Sequence, residues 1–303
     1  MRRIPHYVVK HEHDEAPPHH SDSFNFHIAV VDSKNIRSAP LKSRVHAKDD
    51  EIEARFDEYD HAFESDKLES ITEDPVMQEM RTDLQSLYNF KSRPFLELHE
   101  LLIRPDGILN DTCPNCDKDS VESFDHLLPQ TKFPEFSDHP LNLMPCCSEC
   151  NGRKSANWIE NGRRKYLNLY IDELPEVQYL FCDVRVSGDA IECDFSLSNP
   201  NGIDADLFRK ITNHFETLDL CRRYKNRSNQ VVSSYVRSMI RVCRRLLGIN
   251  GDDKECVRHS IQSEISMIKR KEGCNHWETL IIEACCNTDE VFDYLYNDVT
   301  VNT

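Results

Sequence analysis

Two Cys-x-x-Cys knuckles, Cys113-Pro114-Asn115-Cys116 and Cys147-Ser148-Glu149-Cys150, stand about 30 residues apart. Four thiolates at that spacing suit one tetrahedral zinc ion, and such an ion fixes which segments of the chain must meet. Between the knuckles lie Phe124-Asp125-His126-Leu127-Leu128-Pro129 and Asn142-Leu143-Met144-Pro145, and the last cysteine is followed by Asn151-Gly152-Arg153-Lys154. A purely structural ribbon has no need of an Asp-His pair in an apolar setting, nor of these two asparagines. A catalytic constellation is therefore expected inside a structural one. Cys146 adjoins Cys147, but only Cys147 gives the two-residue spacing to Cys150, so Cys146 is expected as a packed thiol.

These residue types suit phosphodiester hydrolysis. An anionic diester needs a base for the attacking water, positive charge against the developing charge, and support for the leaving oxygen. A histidine titrates near neutral pH, so His126 can act as that base. The carboxylate of Asp125 and the amide oxygen of Asn151 are hard ligands that suit Mg²⁺ or Mn²⁺ and leave the thiolates to zinc. Adjacent side chains on a regular strand face opposite ways, and Pro129 lacks a ladder donor, so Asp125 and His126 are expected at a strand end. A helix is expected over residues 151–169 with Asn151 opening it, where Arg153 and Lys154 in the first turn can meet phosphate.

The stretch 113–154 resembles the HNH endonuclease family, in the subgroup whose ββα-metal motif is stapled by a zinc on four cysteines. By that resemblance His126 is the general base, Asp125 and Asn151 hold the catalytic cation, and Asn142 is the motif's structural middle asparagine. Many members carry His where this chain carries Asn151, and Asn also occurs there in metal-binding members. The layout is also similar to that of bacterial defence nucleases of the HNH type, including those of Septu-like systems that work with an SMC-like ATPase.

No apolar run reaches the roughly 18 residues that span a bilayer, and Met1-Arg2-Arg3-Ile4-Pro5-His6 lacks a signal-peptide core, so a soluble cytoplasmic protein is expected. Thirteen cysteines, five of them at the zinc site, show no disulfide framework and read as reduced thiols. The net charge of −16 is unfavourable for nucleic-acid contact. Its distribution is uneven: acids dominate residues 49–74, and bases dominate residues 209–245.

Residues 1–46 are expected as a largely flexible arm rich in His and Pro, with Phe24-Asn25-Phe26-His27-Ile28-Ala29-Val30-Val31 as one segment able to pair as a strand. Residues 47–104 are expected as an acidic helical region. Its first helix carries a stripe of Ile52, Phe56, Tyr59 and Phe63, a second covers residues 75–90 with Val76, Met80, Leu84 and Leu87 inward, and a third covers 94–103. The nuclease core is placed at 105–170, opening on a Pro105-Asp106-Gly107 turn, and His139 is read as a loop residue. A β-hairpin is placed at 171–200. Residues 201–303 are read as a helical region with stripes Leu207, Ile211, Phe215, Leu218 and Val231, Val232, Tyr235, Met239, Val242, whose basic stretch can track DNA, with Tyr224 or Tyr235 stacking.

The expected fold class is α+β, a ββα-metal core with paired zinc knuckles and helical flanks. The expected activity is metal-dependent DNA cleavage in bacterial defence, using structural Zn²⁺ and catalytic Mg²⁺ or Mn²⁺. The alternative is a catalytically silent zinc-containing nucleic-acid-binding or scaffold protein.

Overall fold

A computed structural model describes residues 1–4, 22–103, 110–154, 156, 158–247 and 253–301. The His-rich segments Lys10-His11-Glu12-His13-Asp14 and Pro17-Pro18-His19-His20 and the turn Pro105-Asp106-Gly107 lie outside the described residues. The protein is mixed helix and strand, an α+β architecture, with two-stranded antiparallel sheets among the described residues. The chain divides into two compact units, Arg2–Glu173 and Leu174–Thr303, the second including Met1.

The first unit begins with α1 (Asp22–Ser33), α2 (Ala39–His46) and α3 (Asp49–Glu64). The strand expected over residues 24–31 is instead the body of α1, which buries Phe24, His27, Val30 and Val31 at helical spacing. Aromatic and β-branched residues suggest a strand locally, but packing on α3, with Phe24 edge-on to Phe56 at 6.0 Å, decides the outcome. Within the expected flexible arm, residues 22–46 thus fold largely as helix. Helix α3 opens on Asp49, Asp50 and Glu51, which favour a helix N-terminus, and it buries Ile52, Phe56, Tyr59 and Phe63 as the periodicity predicts.

Where one helix was expected over residues 75–90, two short ones stand, α4 (Pro75–Glu79) and α5 (Arg81–Gln85). Asp74 caps α4 by accepting from the amides of Val76 and Met77, with Pro75 in the first turn. That start turns Met77 inward and leaves Val76 exposed, a one-residue change of phase from the expected stripe. Helix α6 (Arg93–Ile103) matches its expected span and buries Phe95, Leu98 and Leu102.

The centre of the unit is the antiparallel pair β1 (Ser123–His126) and β2 (Leu143–Cys146), with Asp125 opposite Met144 and His126 opposite Leu143. Helix α7 (Ser148–Arg153) follows directly. The helix expected over 151–169 is therefore wrong in length and phase: α7 begins three residues earlier and ends at Arg153. The chain then forms β3 (Ile159–Glu160) and β4 (Arg163–Arg164) about Asn161-Gly162, both at positive φ, 51° and 71°. Asn-Gly is the preferred two-residue hairpin turn, and it ends the helix expected from Asn151.

The second unit opens with the hairpin β5 (Leu180–Ser187) and β6 (Ala190–Leu197), turned at Gly188, where φ is 60°. Next come α8 (Ala205–Leu218), α9 (Leu220–Val231), α10 (Arg237–Leu246), α11 (Lys254–Glu272), α12 (Trp277–Asn287) and α13 (Asp289–Val301). Helices α9 and α12 pack on the hairpin. Between α9 and α10 the helix widens into a π turn at Val232–Val236. That rephases the buried stripe to Val232, Val236 and Ile240 and leaves Tyr235 and Val242 exposed, correcting the stripe expected from a uniform period. Tyr224, one candidate for stacking on bases, is buried against Trp277 with ring centroids 5.0 Å apart.

Much of the basic stretch is paired within this unit: Arg209 and Lys210 with Asp206, Arg222 with Asp219, Lys225 with Asp194 and Arg237 with Asp298. Among the described residues, no helix is long and apolar enough to cross a membrane.

Candidate metal centre and active site

Cys113, Cys116, Cys147 and Cys150 come together in the first unit, all buried, with their sulfurs within 4.8 Å of one another. A zinc ion about 2.3 Å from each of four sulfurs sets sulfur–sulfur edges of about 3.8 Å. The Cys116 and Cys147 sulfurs lie 3.8 Å apart, so the quartet has the size of a zinc tetrahedron. Cys147 also caps α7, its sulfur accepting from the Cys150 amide at 3.4 Å. Cys146 stays outside the quartet, buried on β2. Its sulfur instead accepts from the Asn115 side-chain amide at 3.5 Å.

The Asp-His pair occupies the last two positions of β1, as expected. Asp125 is buried and ion-paired with Lys154, whose ammonium also lies 5.6 Å from the centroid of the Tyr166 ring. Asn151, on α7, donates to the Ser123 hydroxyl at 3.0 Å and to the Phe124 carbonyl at 3.5 Å. Ser123 and Asp125 share one face of β1, so Asn151 stands on the side of the strand that carries the carboxylate. Its Oδ1 is the atom a cation would use. The partner of the carboxylate here is Lys154. Lys154, expected at phosphate, is committed to Asp125. Arg153 pairs with Glu149 at 3.3 Å along α7, and six residues are too short a helix to supply a phosphate site at its start.

His126 is partly exposed, and its Nε2 lies 2.8 Å from the Ser137 carbonyl. A carbonyl only accepts, so Nε2 carries the proton and Nδ1 keeps the lone pair a base requires. The Gln130 side-chain nitrogen lies 2.9 Å from both ring nitrogens, close against the imidazole rather than along one lone pair, and the Tyr88 ring packs edge-on with centroids 4.8 Å apart. Burial holds the imidazole below its ordinary range, which favours the neutral form.

Asn142 is fully buried and ties down the loop that follows His126. Its Oδ1 accepts from the Leu128 amide at 2.7 Å, and its Nδ2 donates to the carbonyls of Leu128 at 3.1 Å and Phe136 at 2.9 Å. Its own carbonyl accepts from the Leu127 amide at 3.0 Å.

Sequence reasoning missed the partners of these groups: Gln130, Tyr88, Ser137 and the buried residues behind them. Tyr88 both accepts from the Phe124 amide and donates to the Phe124 carbonyl, pinning β1. The available signal was Glu135-Phe136-Ser137-Asp138-His139, in which ionisable residues interrupt an aromatic run. His139 is a loop residue, as expected, but a buried one: its ring lies 4.1 Å from that of Tyr59, and its Nε2 is 3.3 Å from Asp60.

The fold and site define an α+β protein with a four-cysteine cluster able to hold a structural metal ion, consistent with zinc. The chain is similar to Protein ea31 of Escherichia phage lambda, 23% identical over 215 residues that cover 67% of this chain and 69% of that protein. No family model matches, and no solved structure matches.

Proposed function

We propose that this chain is an HNH-type endonuclease that hydrolyses DNA phosphodiester bonds with a divalent cation. The observation that carries this reading is the strand-end pair Asp125-His126 on a zinc-sized cysteine quartet, with Asn142 bonded to the next loop and Asn151 on the carboxylate's face of β1.

In this reading His126, neutral and protonated on Nε2, takes a proton from water at Nδ1 once Gln130 yields that position. Asp125 and Asn151 would hold Mg²⁺ or Mn²⁺, which supplies charge against the pentacovalent phosphate and the leaving oxygen. Lys154, which pairs with Asp125, would have to give up that carboxylate to the ion, and its ammonium could then meet a phosphate. Asn142 fixes the loop carrying the base. Arg227 on α9 and Arg241 and Arg245 on α10 are exposed cations of the basic stretch that could add DNA contacts. A defence role and an SMC-like ATPase partner rest on the resemblance in layout alone.

One observation favours the second reading, a silent zinc scaffold: both reactive groups are engaged, Asp125 by Lys154 and His126 by Gln130. Incubating the protein with plasmid DNA and Mg²⁺ or Mn²⁺ separates the two. The wild type should nick or linearise the plasmid. His126→Ala should lose about 10²- to 10⁴-fold in rate with its zinc content unchanged. Absence of cutting with either metal at full zinc occupancy would overturn the nuclease reading in favour of the scaffold.

A further inference from the structure

Behind His126 lies a group of buried ionisable side chains that neither the zinc cluster nor the proposed chemistry uses. Glu135, Ser137, Asp138 and His139 are all fully buried. Asp138 Oδ2 is 2.9 Å from Nδ1 of His27, on α1, and both side chains are out of contact with water. Glu135 Oε1 accepts from Nε and Nη2 of Arg55, on α3, at 3.0 and 2.8 Å. The His27 ring is itself clamped, stacked on Phe24 at 5.6 Å and edge-on to Phe56 at 5.3 Å.

Between these two pairs the backbone offers the two carbonyls the site depends on. Phe136 accepts from Asn142, and Ser137 accepts from His126. Burying two carboxylates is costly, and apolar residues of similar volume often serve stability as well or better. What paired charges add is one fixed geometry in place of many.

We infer that Asp138 with His27, and Glu135 with Arg55, are positioning residues that hold the Ser137 and Phe136 carbonyls so that His126 keeps one ring orientation and one tautomer. The inference deepens the nuclease reading and takes from it the role of His126. The two pairs reach back to different helices, so the segment between them is fixed at both ends. A purely local turn would leave the Ser137 carbonyl free to rotate, and Nε2 and Nδ1 would exchange roles.

The test uses the full zinc-loaded protein with Asp138→Asn, and Ser23→Ala as control. Ser23 is also on α1 and buried, but its hydroxyl bonds Asp60 at 3.0 Å and touches neither loop carbonyl. In the wild type, ¹⁵N signals of the His126 ring should show the single Nε2-protonated tautomer. In Asp138→Asn they should show a mixture, while kcat falls about 10- to 100-fold at unchanged KM and zinc content. Ser23→Ala should keep both kcat and the ring signature. Should Asp138→Asn fail to fold, Glu135→Gln carries the same measurement. Unchanged ring signals and kcat in a folded variant would overturn the inference, as would collapse of both variants, which would make the pairs purely structural. If the wild type cuts no DNA, the nuclease reading fails, and the ring signals alone then decide the positioning role.

Discussion

The two units treat charge in opposite ways. The first buries the carboxylates of Asp125, Glu135, Asp138 and Asp172, each against a basic partner: Lys154, Arg55, His27 and Arg164. Among the described residues, the second unit buries no carboxylate. It does bury the cations Lys210 and Arg223, but the carboxylates of its ion pairs, such as Asp206 with Lys210 and Glu192 and Asp194 with Arg185, stay partly exposed. A buried pair adds little net stability over a hydrophobic replacement, yet removing one member costs about 3–5 kcal/mol. Surface pairs contribute little either way. Costly polar geometry collects around the Asp125-His126 strand end, where chemistry would need it.

The contrast is broken most severely by removing the metal. Cys113→Ser, or a strong chelator, should withdraw on the order of 10 kcal/mol of metal-linked folding free energy from the first unit. Zinc analysis with near-ultraviolet circular dichroism should show its aromatic packing lost while the helical signal of the second unit persists; loss of both together would deny that the units differ. Next in size, Asn142→Ala strands the Leu128 amide and the Leu128 and Phe136 carbonyls. Denaturant unfolding should register a loss of about 3 kcal/mol or more, since three buried groups at roughly 1–3 kcal/mol each are left without partners. Arg185→Ala, its counterpart in the second unit, should leave unfolding unchanged.

The smallest effect is on pH dependence. Burial lowers the pKa of both His99 and His126 below the ordinary 6.5, so below that pH the unfolded chain binds more protons than the folded one. Stability should therefore be level above 6.5 and fall as pH drops through and beneath it. Melting temperatures recorded from pH 7.5 to 5.5 should show the decline, and His99→Gln should make it shallower.

The knuckles, the strand-end placement of Asp125 and His126, the α3 stripe, α6 and the β5–β6 hairpin were legible because spacing and turn chemistry act locally. Three elements were not. Helix α1 looks like a strand until α3 is there to receive Phe24 and His27. The Asn161-Gly162 turn falls inside the stretch that Asn151 was expected to open as a helix. The π turn at Val232–Val236 defeats any constant period, moving Tyr235 and Val242 outward. At the site, identities came from the motif, but the engagements did not. Lys154 on Asp125, Gln130 on His126 and the salt-bridged pairs behind Ser137 join residues 4 to 111 positions apart, which no window on the sequence reports.

Lys154 gives the carboxylate of Asp125 a tethered counter-ion. In the nuclease reading, a divalent ion then enters by exchange: it must displace an ammonium that cannot diffuse away, so the site fills at a higher ion concentration than an open carboxylate would. A chain poised this way rests in a neutralised state when divalent ions are scarce.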